Sequence, residues 1–318
     1  MDDHLVSTGW RDACDDRPKT SEHHSPGITR KPRSESWPQP NANSPVAFSD
    51  GEIAAERRKG IMNNQSTSKV LVEKAGPVTT ITLNRPEVRN AADLETLTLL
   101  RTAFHDFEND PDARVAVLTG TGDAFCAGAD LKELASGKSI GFAWAGSDQG
   151  PLREFLSKPI IAAVSGHAVA AGLALAIFCD LRVVDESAVF GVFCRRWGAP
   201  MTNGATVRLP RLIGQSRAMD MLITGRAVHA QEAFAIGLAN RVVPVGTVRQ
   251  AAEDLAHEIA DFPQICMLAD RMSAHQQWGL SDQDAIRIEA QYGQEAFRSE
   301  TQAGAQRFTD GAGRHGRF

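Results

Sequence analysis

The stretch Pro159 to Cys179, PIIAAVSGHAVAAGLALAIFC, decides how this chain folds. Its 21 residues hold no Asp, Glu, Lys or Arg, and that length is enough to cross a membrane as a helix. Its interior argues otherwise. Ser165, Gly166, His167 and Gly172 interrupt it, and five alanines fall between 168 and 176. Ile160 to Val164 reads as a buried strand, Ser165-Gly166-His167 as a turn, and Gly172 to Cys179 as the opening of a buried helix. No membrane span is expected.

A second segment repeats the design upstream. Val115 to Thr119 reads as a buried strand, Gly120 to Gly128 as a loop, and a helix starts near Asp130. Further out, Val70 to Val72 and Val78 to Leu83 are strands about the turn Gly76-Pro77. Ala92 to Phe107 is an amphipathic helix with Leu94, Leu97, Arg101, Phe104 and Phe107 on one stripe. Gly137 to Gly150, which carries Phe142 and Trp144, reads as an exposed loop that either covers a ligand or is simply surface. Leu181 to Val184 is a buried strand. A short strand begins at Phe190, and a polar loop runs from it to Pro210. Ser216 to Thr224, Ala230 to Ile236 and Val248 to Ala260 are helices, with Gly237 as the C′ residue of the second. From Pro263 to about Phe308 the pattern is helical, and 311–316 read as a flexible tail. Recurring strand–loop–helix units make this an α/β chain. The first crossover carries neither GxGxxG nor GxxxxGK[ST], which argues against a dinucleotide fold and a P-loop NTPase.

In both special segments a buried strand runs through small residues into a helix start. Such a start presents N–H groups without intrahelical partners and the positive end of the dipole. Two facing starts can give two donors to one developing oxyanion. Close packing of helix on sheet explains the same small residues, and spacing alone leaves both readings open.

Composition narrows the classes. Lys and Arg total 34 against 39 Asp and Glu, a net charge of −5. No basic excess is available for non-specific nucleic-acid binding. The five cysteines, at 14, 126, 179, 194 and 266, form no CxxC pair. That argues against a disulfide scaffold and a zinc ribbon and suits a reducing, cytoplasmic setting. No metal-ligand spacing is present. Length first suggests two domains or one large one.

Residues 1–61 hold six of the fifteen prolines, ten acidic and nine basic residues, and no apolar period. They cannot bury enough apolar surface to offset ordering entropy, and they lack the apolar core of a signal peptide. Either 1–66 is a disordered extension, or translation starts at Met62 and the preceding residues are not made. We favour the Met62 start, because Met62 falls just before the first regular pattern and Glu56 to Gly60 is what a purine-rich ribosome-binding site spells as codons. The folded part is expected to divide into a core, 67–260, and a helical C-terminal region, 261–318.

The motifs Leu83-Asn84-Arg85-Pro86, Asn90-Ala91, Phe125-Cys126-Ala127-Gly128-Ala129-Asp130-Leu131-Lys132-Glu133, Pro159 to Gly166, Cys179-Asp180-Leu181-Arg182, Arg208 to Gly214 and Thr224-Gly225-Arg226 together resemble the enoyl-CoA hydratase/isomerase (crotonase) family from about residue 69 onward. The resemblance implies a crotonase-like spiral of ββα repeats with a helical C-terminal region used for trimerisation. It implies a homotrimer or homohexamer and an acyl-CoA substrate, with no separate cofactor. It places the oxyanion-hole donors at the backbone N–H groups of Ala129 and Ala171, where the second position is typically Gly.

The resemblance also exposes departures. Hydratases of the family carry one glutamate three residues after the second donor, here Ala174, and another four residues after the Phe of the Phe-Gly segment, here Cys194. Water addition needs a base and an acid, and alanine is neither. Cys194, with Arg195 and Arg196 beside it, is either an acid, base or nucleophile, or an inert buried thiol. Asn203 and Thr202 lie where other members place a catalytic Asp. Arg89, Asn90, Phe125 and Ala127 match segments that line the CoA, and Asp130 follows the first donor as a capping or ligand-side carboxylate. His167, Asp180, Lys132 and Glu133 read as structural or solvated. The function expected is an acyl-CoA enzyme of the hydratase or isomerase type that stabilises a thioester enolate, or else an acyl-CoA-binding protein that has lost the chemistry. If Met62 is the start, intact mass spectrometry of the protein from its native cell finds a chain lacking the first 61 residues, and a 318-residue product refutes it.

Overall fold

Strands Val70–Ala75 (β1) and Val78–Leu83 (β2) pair antiparallel about Gly76 and begin a six-stranded sheet. The structure is a computed structural model, and it describes residues 67–137, 151–152 and 155–313. Strands Val115–Gly120 (β3), Ile160–Val164 (β4), Leu181–Asp185 (β6) and Arg241–Val243 (β9) extend the sheet in parallel, in the order β1-β2-β3-β4-β6-β9. A smaller sheet joins His167–Val169 (β5), Val189–Gly191 (β7) and Ala227–His229 (β8).

The two sheets turn the chain into a spiral. Each turn gives one strand to the large sheet, a short segment to the small one, and then a helix. β3 leads to Ala124 and Cys126, which bridge Gly166 and Ala168, and then to helix Leu131–Ala135 (α2). β4 leads to β5 and helix Ala171–Phe178 (α3). β6 leads to β7, a 3-10 turn at Phe193–Trp197, and helix Ala205–Ile213 (α4). Buried, mostly apolar residues make up β3, β4 and β6, as expected for parallel strands covered on both faces. The charge-free stretch 159–179 is thus β4, β5 and α3, and no helix among the described residues is long and apolar enough to cross a membrane.

Both sheet faces are covered. Helix Leu94–Asn109 (α1) turns Leu97, Leu100, Ala103, Phe104 and Phe107 into the core. Helix Val248–Asp261 (α7) lays Val248, Ala252, Leu255 and Ala256 on Val115, Val117, Ile161 and Val183. Between them run helices Gln215–Thr224 (α5) and Ala230–Ala235 (α6). Helices Gln264–Gln276 (α8), Asp282–Ser299 (α9) and Thr301–Thr309 (α10) complete the chain. The Glu300 carboxylate accepts from the Ile265 and Cys266 N–H groups and so caps α8 from the far end of α9.

Arg182 is 2 % exposed, although it carries a charge. Its guanidinium donates to Leu238 O (2.6 Å), Cys179 O (2.8 Å) and Asn240 Oδ1 (3.2 Å). It thereby ties the end of α3 to the loop before β9. Burial depresses its pKa, and the full set of donors is what makes its position tolerable.

Several expectations change. His167 belongs to β5 rather than to a turn, because its carbonyl accepts from Cys126. The apolar stripe of α1 excludes Leu94 and Arg101, which face solvent from its first turn and its outer side. The polar loop does not reach Pro210. Helix α4 runs through that proline because Ala205, Leu209 and Ile213 bury one stripe at four-residue steps. The helical C-terminal pattern breaks at 277–281 and at Glu300. Residues 1–66, 138–150, 153–154 and 314–318, and with them Phe142 and Trp144, lie outside the described residues.

Asp93 is the N-cap of α1 and accepts from the Thr96 N–H at 2.9 Å. Burial opposes its ionisation, but the Lys69 ammonium at 2.6 Å, the Thr96 donors and Arg85 outweigh burial and lower its pKa to about 2. A carboxyl depressed on folding stabilises above its unfolded pKa and loses that contribution as the pH falls through the folded value. Asp93→Asn keeps the cap and removes the charge. The expected loss is on the order of 2 kcal/mol at pH 7 by urea denaturation, vanishing towards pH 2.

Candidate functional site

Where the first two turns of the spiral touch, two loops are zipped together by backbone. The Cys126 N–H donates to His167 O (2.8 Å), the Val169 N–H donates to Cys126 O (3.1 Å), and the Ala170 N–H donates to Gly191 O (2.9 Å). Small residues make this possible. A Cβ at Gly172 would overlap the Cys126 carbonyl. A Cβ at Gly128 would come within 2.9 Å of the Ala170 Cβ and 3.2 Å of the Ala171 nitrogen. The start of α3 therefore sits directly against Gly128 and its neighbour Ala129.

The N–H groups at this junction are directed by strand logic. Ala92 bridges Ala129 in parallel, donating to Gly128 O (2.8 Å) and accepting from the Asp130 N–H (2.9 Å). That pattern turns the Ala129 N–H to the opposite side. Among the described residues, neither the Ala129 nor the Ala171 N–H has a hydrogen-bond acceptor. Both residues are partly accessible, and Ala171 is the first residue of α3, where the helix dipole is positive.

The backbone around the pair is strained. Gly128 has φ +105° and Ala170 has φ 54°, ψ −123°. An alanine in that region is costly, because its Cβ crowds the backbone. The Ala170–Gly191 hydrogen bond and the packing on Gly128 hold it there. No sequence pattern marked Ala170. Its place between a strand and a helix start, between Val169 and Ala171, is the only trace.

The other candidates divide by what their side chains touch. Ala174 is buried one turn into α3 among apolar neighbours. Cys194 sits half-buried in the 3-10 turn after β7 and packs on the core. Burial pushes its thiol above the ordinary range, and the Arg195 charge offsets this only in part. It is a neutral thiol at neutral pH. Cys126, fully buried behind Gly128, is pushed up to about 12. Asn203 takes a left-handed conformation, φ 58°, just before α4, and its carbonyl accepts from Arg208 at 2.7 Å. Its amide donates to the Thr202 hydroxyl at 3.3 Å.

Arg89 also has a positive φ and an exposed side chain, and its carbonyl accepts from Ala127 at 2.9 Å. Asn90 is 1 % exposed, and its side chain is engaged by three backbone groups: the Arg85 N–H and the Thr121 and Ala124 carbonyls. Phe125 is buried in the core. Asp130 caps α2 through the Lys132 N–H and pairs with Arg85 at 3.1 Å. Asp180 accepts from the Ile160 N–H, Arg271 and His275, a structural junction.

Residues 73–313 match the family model described as enoyl-CoA hydratase/isomerase. Among curated proteins, the chain is 37 % identical over 243 residues to enoyl-CoA hydratase EchA19 of Mycobacterium tuberculosis, covering 74 % of this chain and 91 % of that protein. It is 31 % identical over 242 residues to the short-chain-enoyl-CoA hydratase of Clostridium acetobutylicum, covering 75 % and 93 %. A crystal structure of enoyl-CoA hydratase from Mycobacterium tuberculosis superposes with a TM-score of 0.72 at 32 % identity, covering 76 % of this chain and 96 % of that one.

The strain at Ala170 has a direct consequence. Ala170→Gly keeps the N–H to Gly191 and removes the crowded Cβ. The variant is expected to gain about 1 kcal/mol, a rise of roughly 2–4 °C in Tm by calorimetry.

Proposed function

The chain belongs to the enoyl-CoA hydratase/isomerase family, and from that premise we propose that it binds an acyl-CoA thioester with the thioester oxygen between the Ala129 and Ala171 N–H groups. The observation that carries this reading is the pair of N–H groups without acceptors among the described residues, on residues that adjoin the contact of Gly128 with the start of α3. Charge that builds on the thioester oxygen as an enolate forms meets two fixed donors and a helix N-terminus. Because the strained Ala170 is held by packing, the donors need little reorganisation as that charge develops.

The acid and base of the reaction are a separate matter. Ala174 supplies no proton-transfer group, and a neutral Cys194 thiol can donate a proton but is a poor base. Enolate chemistry in this chain therefore leans on the two donors, with Cys194 and Asn203 as the candidate side chains near the reacting carbons. Arg89, Asn90, Phe125, Ala127 and Asp130 are proposed to line the CoA, largely through backbone groups, since the Asn90 and Asp130 side chains are engaged elsewhere. We also propose assembly as a homotrimer or homohexamer through the C-terminal helices, and a cytoplasmic setting. The alanine at 174 and the raised thiol pKa at 194 favour a second reading, an acyl-CoA-binding protein without turnover.

One set of measurements separates the two. Crotonyl-CoA and longer enoyl-CoAs are followed by thioester absorbance, beside calorimetric binding of acyl-CoA. The enzyme reading expects turnover, and it expects Ala171→Pro, which deletes one N–H at a position where helices accept proline, to cut kcat by about 10²–10³-fold. Tight binding without turnover at any chain length leaves only the binder. An unchanged rate in Cys194→Ser removes Cys194 from the chemistry.

A further inference from the structure

At the opposite end of α3 from Ala171, about 10 Å along the helix axis, lies a cavity of about 340 Å³. Its walls come from the end of α3, from α4, from α8 and from Trp278. Three guanidiniums, of Arg208, Arg211 and Arg271, face it with one carboxylate, that of Asp180.

That carboxylate is fully committed. Its Oδ1 accepts from Arg271 Nε at 2.8 Å and lies 3.0 Å from His275 Nε2, and its Oδ2 accepts from the Ile160 N–H at 2.8 Å. Arg271 gives its remaining bonds to the Leu156 and Ser157 carbonyls. This group forms a neutralised floor. Arg208 and Arg211 remain above it. Arg208 reaches two carbonyls, Asn203 O at 2.7 Å and Leu152 O at 3.4 Å, and rests over the Phe178 ring. Arg211 has no hydrogen bond or ion pair among the described residues, and stacks on the Trp278 indole at 4.6 Å. Stacking holds the plane of a guanidinium and leaves its N–H edge free. Burial and the neighbouring Arg211 charge both depress the Arg208 pKa, as expected for two like charges without a counter-ion between them.

We propose that this cavity is a binding site for a small organic anion, a carboxylate or phosphate carried on an apolar body, distinct from the acyl-thioester site. Arg211 and Arg208 bind the anionic group, and Trp278 and Phe178 flank the apolar body. Two guanidiniums without a carboxylate partner among the described residues, in a concave, aromatic-walled space, focus a positive potential that such a ligand neutralises. A stacked, free guanidinium edge matches the fork geometry of a carboxylate or phosphate. The inference is independent of any turnover at Ala129 and Ala171.

Calorimetric titration of the full chain with octanoate, octyl phosphate, inorganic phosphate and octanol tests it. Octanoate or octyl phosphate is expected to bind at least about tenfold more tightly than octanol, the margin of one charge-assisted contact. Whichever of the two binds better identifies the head group, and weaker binding of inorganic phosphate supports a role for the apolar body. Arg211→Met is expected to weaken the anions by about tenfold or more, with acyl-CoA affinity, circular dichroism and oligomeric mass unchanged. Trp278→Leu, which leaves Arg211 in place, is expected to weaken octanoate more than phosphate. Equal binding of octanol, unaltered binding by Arg211→Met, or competitive displacement by acyl-CoA overturns the proposal. So does a change of oligomeric mass in Arg211→Met, which would assign the cavity to contact between copies of the chain.

Discussion

The Cys126 carbonyl rests against the bare α-carbon of Gly172, and Gly128 rests against Ala170 and Ala171. Much of the site depends on this close approach of two loops. With side chains of ordinary size the turns of the spiral would stand further apart, and the Cys126–His167 and Val169–Cys126 hydrogen bonds would not form. The approach is what brings the Ala129 and Ala171 N–H groups, without acceptors among the described residues, onto adjoining turns. Two donors without partners and an alanine at positive φ are each unfavourable, and the surrounding sheet and core hold them in place.

The same economy of polar groups appears elsewhere with the opposite sign. Arg182 and Asp180 are largely buried, and each is surrounded by partners that satisfy it. They join α3 to its neighbours, so the helix that carries Ala171 is fixed at both ends: by the loop contact at its start and by Arg182 at its finish. Among the described residues, Arg208 and Arg211 lack such compensation by carboxylate. That contrast, not charge alone, singles out the cavity beside α8.

Much of the fold was legible from pattern. Apolar strand segments at 115–119 and 160–164, and the Val-rich 181–184 around Arg182, announced parallel strands buried on both faces, and Ala/Gly-rich turns after two of them announced tight helix–sheet junctions. Pro210 misled, because a local rule against proline in helices yields to the burial of Ala205, Leu209 and Ile213. The stripe of α1 was displaced at its first turn, where Leu94 looked apolar but the helix had not yet met the core.

The small-residue junction of the candidate site was legible in outline. The sequence by itself determined that small residues precede two helix starts and that motif combinations point to one family. Tertiary structure alone decided that Asn90 and Asp130 spend their side chains on backbone and capping, that burial raises the Cys194 pKa, that Ala170 is strained, and that residues from α3, α4 and α8 with Trp278 enclose a cationic cavity. The physical reason is range. Periodicity and composition report on neighbours within a few positions. Desolvation, hydrogen-bond saturation and charge balance are sums over groups that only folding brings together.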